Sequence, residues 1–461
     1  MSTISSPGIG SGLDVNAIVS QMMKLEQRPL QLLQTKASGI ETKISSYGQV
    51  KSAMAALYDA AKGLTNLDTW RGKQFASGDE TILKGSASSS AQAAQFSLQV
   101  NHLAQSQSVA TSSLPSGSGI GTSGTLTLER GKWSADQSGF AGAGSAIDIT
   151  IDAGDKLTDI AKKINDTKDA GVSAVVIKDA SGERLLLRSN TTGEENGFAL
   201  SVSDPGLNIL AHDPASVAAD NGASRTQAAK DASFSINSVE ARSASNTVED
   251  IVPGVTLNLL KPSDKPIDIT ISDDTKAIKD KIEAFKDAYN KLNSTISGLT
   301  KYDQGSKKAQ PLQGDNTVVG MLNSLRGLVG NPNSAGDYFS SLGLEVQRDG
   351  SLNINSTKLD AALKDLPKLE KALTDGTDGL VTRIREFAFK ANGVEGNITS
   401  RTKALQDSLK RNESDQERIN LLLDQRQKNM LKQYQSLDAN MSTMNSLSSF
   451  MNNQIGQWNK S

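Results

Sequence analysis

The stretch 423–458, LDQRQKNMLKQYQSLDANMSTMNSLSSFMNNQIGQW, repeats one feature along its whole length. Leu423, Met430, Leu437, Met444, Met451 and Trp458 fall seven residues apart, and Tyr434, Met441 and Ile455 follow members of that row by four. A period of seven is the seam of a coiled coil or helical bundle, because apolar residues at this spacing stay on one side of a slightly underwound helix. At roughly 1.5 Å per residue the row is about 52 Å long. One helix cannot bury such a stripe alone, so the seam must close within the chain as a bundle or between chains as a coil. Two details favour the second. Asp438 is the only charge between Gln433 and Asn459, whereas a solvated helix face normally carries many. Four of the nine methionines, Met430, Met441, Met444 and Met451, lie on the stripe, and Met adapts to irregular partners. A helix lying on a membrane would need more Lys or Arg on its polar face.

A matching pattern stands near the other end. From Asp14 to about Leu64 the chain reads as helix, with Leu33, Ile40, Tyr47 and Met54 seven apart and Ala37, Ile44 and Tyr58 on an adjacent row, interrupted by Lys51. Pro29 disfavours the α region for the residue before it, which predicts a break near Arg28. Between the helical ends the character is β. Alternation at Phe96–Val100, Ile147–Ile151, Val172–Ile177 and Phe198–Val202 predicts half-buried strands, with one amphipathic helix from Leu157 to Thr167 and further strands over 234–271. Helix resumes at Lys276. Residues 342–354 read as a hairpin around Asp349-Gly350, and helices over 358–375, 378–391 and 400 to the end follow.

The expected fold class is α+β multidomain: terminal helices pair into a coiled coil and helical bundle, with β-rich domains nested between them. Four parts are expected: 1–45 with 420–461 as a coiled-coil leg, 46–75 with 275–419 as a helical domain carrying the hairpin, 76–115 with 230–274 as a β-rich domain, and 116–229 as an outer β-rich insertion with one helix.

Composition narrows the function. With 461 residues and no cysteine, the chain has no disulfides, thiolate metal sites or cysteine nucleophiles. Its two histidines, His102 and His212, are 110 residues apart, so a site needing three is impossible and a Ser/His/Asp hydrolase has only two candidate bases. Neither lies in a recognisable catalytic motif. Gly8-Ile-Gly10-Ser-Gly12 lacks the preceding strand of a phosphate loop and reads as a leader into a helix capped by Ser11 or Asp14. Asp375–Gly379 lacks an EF-hand ligand series and reads as the turn between two helices. No enzyme, cofactor or metal is expected. Net charge is −2, and residues 116–229 carry ten basic against fifteen acidic side chains, which argues against nucleic acid as a partner. No stretch approaches the ~18 apolar residues of a membrane span, so no membrane insertion is expected.

Several segments resemble one family. Ser5-Ser6-Pro7-Gly8-Ile9-Gly10-Ser11-Gly12-Leu13-Asp14-Val15, with Ile18-Val19, Glu26 and Pro29, looks like the N-terminus of the flagellar filament cap proteins, the flagellar hook-associated protein 2 family. Val100 to Gln107 resembles a β segment of the same family, and the hairpin followed by Lys358-Leu359 and Ala361–Leu363 resembles its C-terminal half. Phe234–Leu257 resembles an element shared by flagellin and hook-associated proteins.

The resemblance implies a structural assembly factor at the flagellar filament tip: a homo-oligomeric, roughly pentameric ring that promotes flagellin polymerisation and motility. Flagellin, hook–filament junction proteins and an export chaperone at the C-terminal region are the implied partners, with secretion by the flagellar type III pathway. Gly8, Gly10, Gly12, Leu13 and Asp14 are then the family motif and export leader. The two helical seams become assembly surfaces, ordered when subunits meet. The alternative is a surface adhesin whose β-rich insertion binds glycan or mucin.

Overall fold

The computed structural model describes residues 14–213, 222–303, 305 and 308–458. Gly8, Gly10, Gly12 and Leu13 lie outside the described residues. In chain order the helices are α1 (Val15–Glu26), α2 (Arg28–Leu64), α3 (Leu67–Arg71), α4 (Leu157–Asp166), α5 (Thr275–Thr300), α6 (Asn316–Gly330), α7 (Ser356–Ala362), α8 (Leu366–Thr374), α9 (Leu380–Asn392) and α10 (Asn397–Trp458). The chain divides into two compact units, Met1–Thr69 with Lys276–Ser461, and Trp70–Thr275.

The first unit is helical. Helix α1 stops at Glu26 and α2 starts at Arg28 with Pro29 in its first turn, the place where a missing N–H costs least. Buried Ile278, Ile282, Phe285, Tyr289, Leu292 and Ile296 put one face of α5 into the interior, and Phe285 stacks on Phe339 with ring centroids 6.1 Å apart. Helix α6, unpredicted from sequence, starts where the Asp315 side chain accepts the N–H of Thr317, and it buries Val318, Met321, Leu322, Leu325 and Val329. The expected single helix over 358–375 is two helices, because Leu363 closes α7 and Asp365 caps α8 through the N–H of Lys368.

The hairpin pairs Leu344–Val346 with Leu352–Ile354. Its turn differs from the tight two-residue form that Asp-Gly favours: Gly350 is left-handed (φ +83°), Asp349 is not, and Gln347 N–H bonds to Ser351 O at 2.7 Å. The loop is therefore the longer type closed by a left-handed glycine. The Asn290 amide of α5 pairs with both the N–H and C=O of Leu352, at 2.7 and 2.8 Å, and so holds the hairpin against the helix.

The second unit holds two β cores. Five antiparallel strands run in the order Lys73–Ser77, Ile267–Asp273, Ala94–His102, Ala232–Ile236 and Val239–Ser243. Register opposes Leu98 to Ile267 and Phe96 to Ile269, so the apolar alternation of both strands falls on one face. With the three-stranded sheet Thr247–Glu249, Val255–Leu259, Leu83–Ala87, that face closes a core including Leu98, Val100, Phe234, Leu257 and Ile269. The other core lies around α4, whose Leu157, Ile160, Ala161 and Ile164 pack with Leu126, Ile151, Leu187 and Phe198 of two four-stranded sheets. The strand Val172–Asp179 is at a sheet edge, and Asn165 of α4 pairs its amide with the N–H and C=O of Ala174, both at 2.8 Å, which caps part of that edge.

His212 is built into the second unit. It bridges Leu200, its Nδ1 donates to Ala223 O at 3.1 Å, and its ring lies 5.1 Å from that of Trp133. Burial lowers its pKa, so the ring is neutral and structural there.

Candidate assembly surface

The C-terminal seam is clasped over only part of its length. Asp14 caps α1 by accepting the N–H of Ala17 at 2.9 Å. Helix α1 then lays Val15, Val19 and Met23 on Leu423, with Ile419, Met430, Leu431 and Tyr434 of α10 around them. Glu26 ion-pairs with Arg426, and the Tyr434 hydroxyl donates to the Met22 thioether at 3.5 Å. From these two contacts α1 runs antiparallel to α10, falling in number as α10 rises. Its first described residues are reached near Met441, which is half-buried.

Beyond Tyr434 the apolar row is largely exposed, Met441 apart. Leu437 is 46% exposed, Met444 70%, Met451 55% and Ile455 50%. Leu447 and Phe450, absent from the seven-residue row, are exposed as well. They sit three and six residues after Met444, so at about 100° per residue Leu447 widens the stripe and Phe450 flanks it. A search for i+3 neighbours of the row, rather than for the row alone, would have found Leu447. Trp458 ends α10, and its side chain lies outside the described residues.

The N-terminal row has a different fate. Leu33 and Ile44 are half-buried, Ile40 is buried, and Tyr47 and Met54 have no exposed surface at all. The expectation that this seam stands open until assembly therefore does not hold at Ile40, Tyr47 and Met54. The reason is that α2 is covered by its own chain: Asn392 of α9 donates to Lys51 O at 3.1 Å, and Tyr58 meets Phe389 at 5.7 Å.

Tyr47 joins three helices. Its hydroxyl donates to Asp315 at 2.7 Å, Arg401 of α10 approaches the same carboxylate at 3.2 Å, and that carboxylate caps α6. Burial works against ionisation of Asp315, but the Tyr47 hydroxyl and the Arg401 guanidinium outweigh it and hold the carboxyl below its ordinary value. Burial, with the carboxylate adding, pushes the Tyr47 phenol up.

Among the described residues no group of three or more His, Asp or Glu could hold a metal ion, and no helix is long and apolar enough to cross a membrane. Terminal helices clasped on one another, β-rich cores nested between them and a bare apolar helix end define a structural assembly protein.

Family models described as the N-terminus and C-terminus of flagellar hook-associated protein 2 match residues 11–107 and 229–446. The chain is 30% identical to the A-type flagellar hook-associated protein 2 of Pseudomonas aeruginosa, covering 96% of this chain and 95% of that one. It is 31% identical to flagellar hook-associated protein 2 of Escherichia coli K12, covering 99% and 98%. The crystal structure of the D1-D2-D3 domains of the Escherichia coli flagellar cap protein FliD superposes with a TM-score of 0.60 at 30% identity, covering 78% of this chain and 99% of that one. The chain belongs to the flagellar hook-associated protein 2 family, the flagellar filament cap proteins.

A further family model, the flagellin hook IN motif, matches 136–191. The segment 234–257, where the sequence resembles an element shared with flagellin, lies outside that match and within the C-terminal family model. The relatives give no support to the adhesin alternative.

Proposed function

We propose that this chain caps the tip of the flagellar filament as a non-catalytic assembly factor, and that the bare stretch Leu437–Ile455 of α10 is the part that engages the growing end. The observation carrying this is the split of the seam: α1 covers Leu423 to Tyr434, while Met444, Met451 and Ile455 stay half exposed or more. An apolar stripe left uncovered on a described surface is what a partner helix buries. The residues assigned to assembly are therefore Leu437, Met441, Met444, Met451 and Ile455, with Trp458 at the end of the row; Leu423, Met430 and Tyr434 support them from within the clasp.

In this reading several copies form a ring of about five, the leg is 1–45 with 420–461, 46–75 with 275–419 forms the helical domain, and 76–115 with 230–274 and 116–229 form two β-rich domains. Flagellin polymerises below the ring, and hook–filament junction proteins lie at the base on which it first assembles. The chain is secreted by the flagellar type III pathway with Gly8 to Asp14 as leader, and a chaperone shields the C-terminal stripe beforehand.

The test is a full-length chain carrying Met444→Glu and Met451→Glu in a strain lacking the wild-type gene. Unpolymerised flagellin should accumulate in the medium and filaments should be short by electron microscopy. Filaments of normal length would overturn the assignment.

A further inference from the structure

Between α2 and α10, nearer the start of α10 than α1's clasp, lies an open cleft of about 670 Å³. Its floor is apolar, from buried Ile40 and Leu405. One wall is notched at Gly39, where an added Cβ would meet no atom within 4 Å. Lys36 stands three residues before the notch and Lys43 four after it; neither has an ion-pair partner among the described residues. Arg411 adds a third cation from α10, and Asp415, the carboxylate among the lining residues, is already paired with Arg418 at 3.0 Å. The cleft is therefore a mainly polar groove with a small apolar floor and a positive rim.

A complementary segment exists in the same sequence. At about 100° per residue, Glu417, Leu421 and Asp424 lie roughly half a turn round α10 from the residues that line the cleft. Leu421 is 71% exposed, and Glu417 and Asp424 are exposed without an ion-pair partner among the described residues. The carboxylates sit at −4 and +3 from Leu421, whereas the lysines sit at −3 and +4 from Gly39. Laid antiparallel, Lys36 meets Asp424, Lys43 meets Glu417 and Leu421 enters the notch; laid parallel, each charge pair is out by one residue, about 1.5 Å.

We infer that the α2–α10 cleft seats the Glu417–Leu421–Asp424 segment of a second copy of this chain. The inference rests on the self-assembly in the proposed function and gives it a specific contact. Because α2 and α10 run antiparallel within one chain, an antiparallel contact between copies leaves neighbouring subunits pointing the same way. It is heterologous, with the cleft on one side of α10 and the segment on the other, so it propagates from copy to copy and closes only where the rotation closes. Ser408 of α10 lines the cleft and Leu421 lies 13 residues further on, so neighbours are offset by about 20 Å along the helices.

The absence of native cysteine makes the test direct. Full-length chains carrying Gly39→Cys and Leu421→Cys are mixed and mildly oxidised. A disulfide needs Cα atoms within about 7 Å, so a linked dimer should form in the mixture and in neither variant alone. No linked dimer from chains that still assemble, or a Gly39→Cys chain that links to itself, would overturn the inference. In a second arm, Lys36→Glu with Lys43→Glu should raise the concentration for half-assembly about tenfold, and adding Glu417→Lys with Asp424→Lys should restore it. If the doubly charge-reversed chain assembles normally but no longer retains monomeric flagellin, the cleft serves flagellin; the inference then falls while capping stands. If wild-type chain neither assembles nor retains flagellin, the capping reading falls with it.

Discussion

Asp315 ties three helices of the helical unit together. It caps α6, accepts from Tyr47 of α2 and pairs with Arg401 of α10, with only 7% of its side chain exposed. Replacing it by Ala removes a cap and leaves a buried hydroxyl without an acceptor, which should destabilise the unit by about 2–3 kcal/mol in chemical denaturation. Asn keeps the cap and an acceptor but not the charge, so Asp315→Asn should cost about 1 kcal/mol. The pH dependence has a definite sign. The folded carboxyl titrates below its ordinary value of 3.8, so its contribution is complete above that value and is lost as pH falls through the lowered one. Acid unfolding of Asp315→Asn should be less steep than that of wild type in this range; identical acid profiles would refute the role. None of this was legible from sequence, since Tyr47 and Asp315 are 268 residues apart and Tyr47 looked like one more member of an apolar row.

At the scale of the element, α10 is one continuous helix with three environments. Its start is buried in the helical unit through Ile398 and Leu405, its middle is clasped by α1, and its end carries exposed apolar side chains. Substitutions should sort accordingly. Val19→Ala with Met23→Ala empties the clasp and should cost about 3–5 kcal/mol in local stability, seen as faster amide exchange over 419–434. Leu447→Glu with Phe450→Glu should leave the melting temperature within about 1 °C of wild type, because neither side chain is buried in the subunit, while reducing flagellin retention. A large drop in melting temperature would show instead that the stripe is covered within the chain. The heptad row was read directly from sequence, but a row identifies a face and says nothing about which stretch finds its partner at home.

On the scale of the whole molecule, the chain leaves the helical unit near Thr69, builds two β cores and returns at Lys276. Both strands that open and close the excursion, Lys73–Ser77 and Ile267–Asp273, pair with each other over five residues, so the β unit is tied at its own base. Residues 70–275 expressed alone should therefore fold and unfold cooperatively, with β-type circular dichroism; a molten spectrum would contradict an independent unit. The sequence by itself determined the helix–β–helix order, most strands, α4, the hairpin and the heptad faces, because these depend on local periodicity and turn chemistry. It missed α6, whose start depends on a cap shared with Tyr47 and Arg401, and it treated both seams alike. Only the tertiary structure separated them: burial depends on which helix lies across the stripe, and α2 is covered by α9 and α10 of its own chain, whereas the last turns of α10 extend past the reach of α1. The stretch of α10 proposed to meet other subunits is the one that the described residues of α1 do not reach.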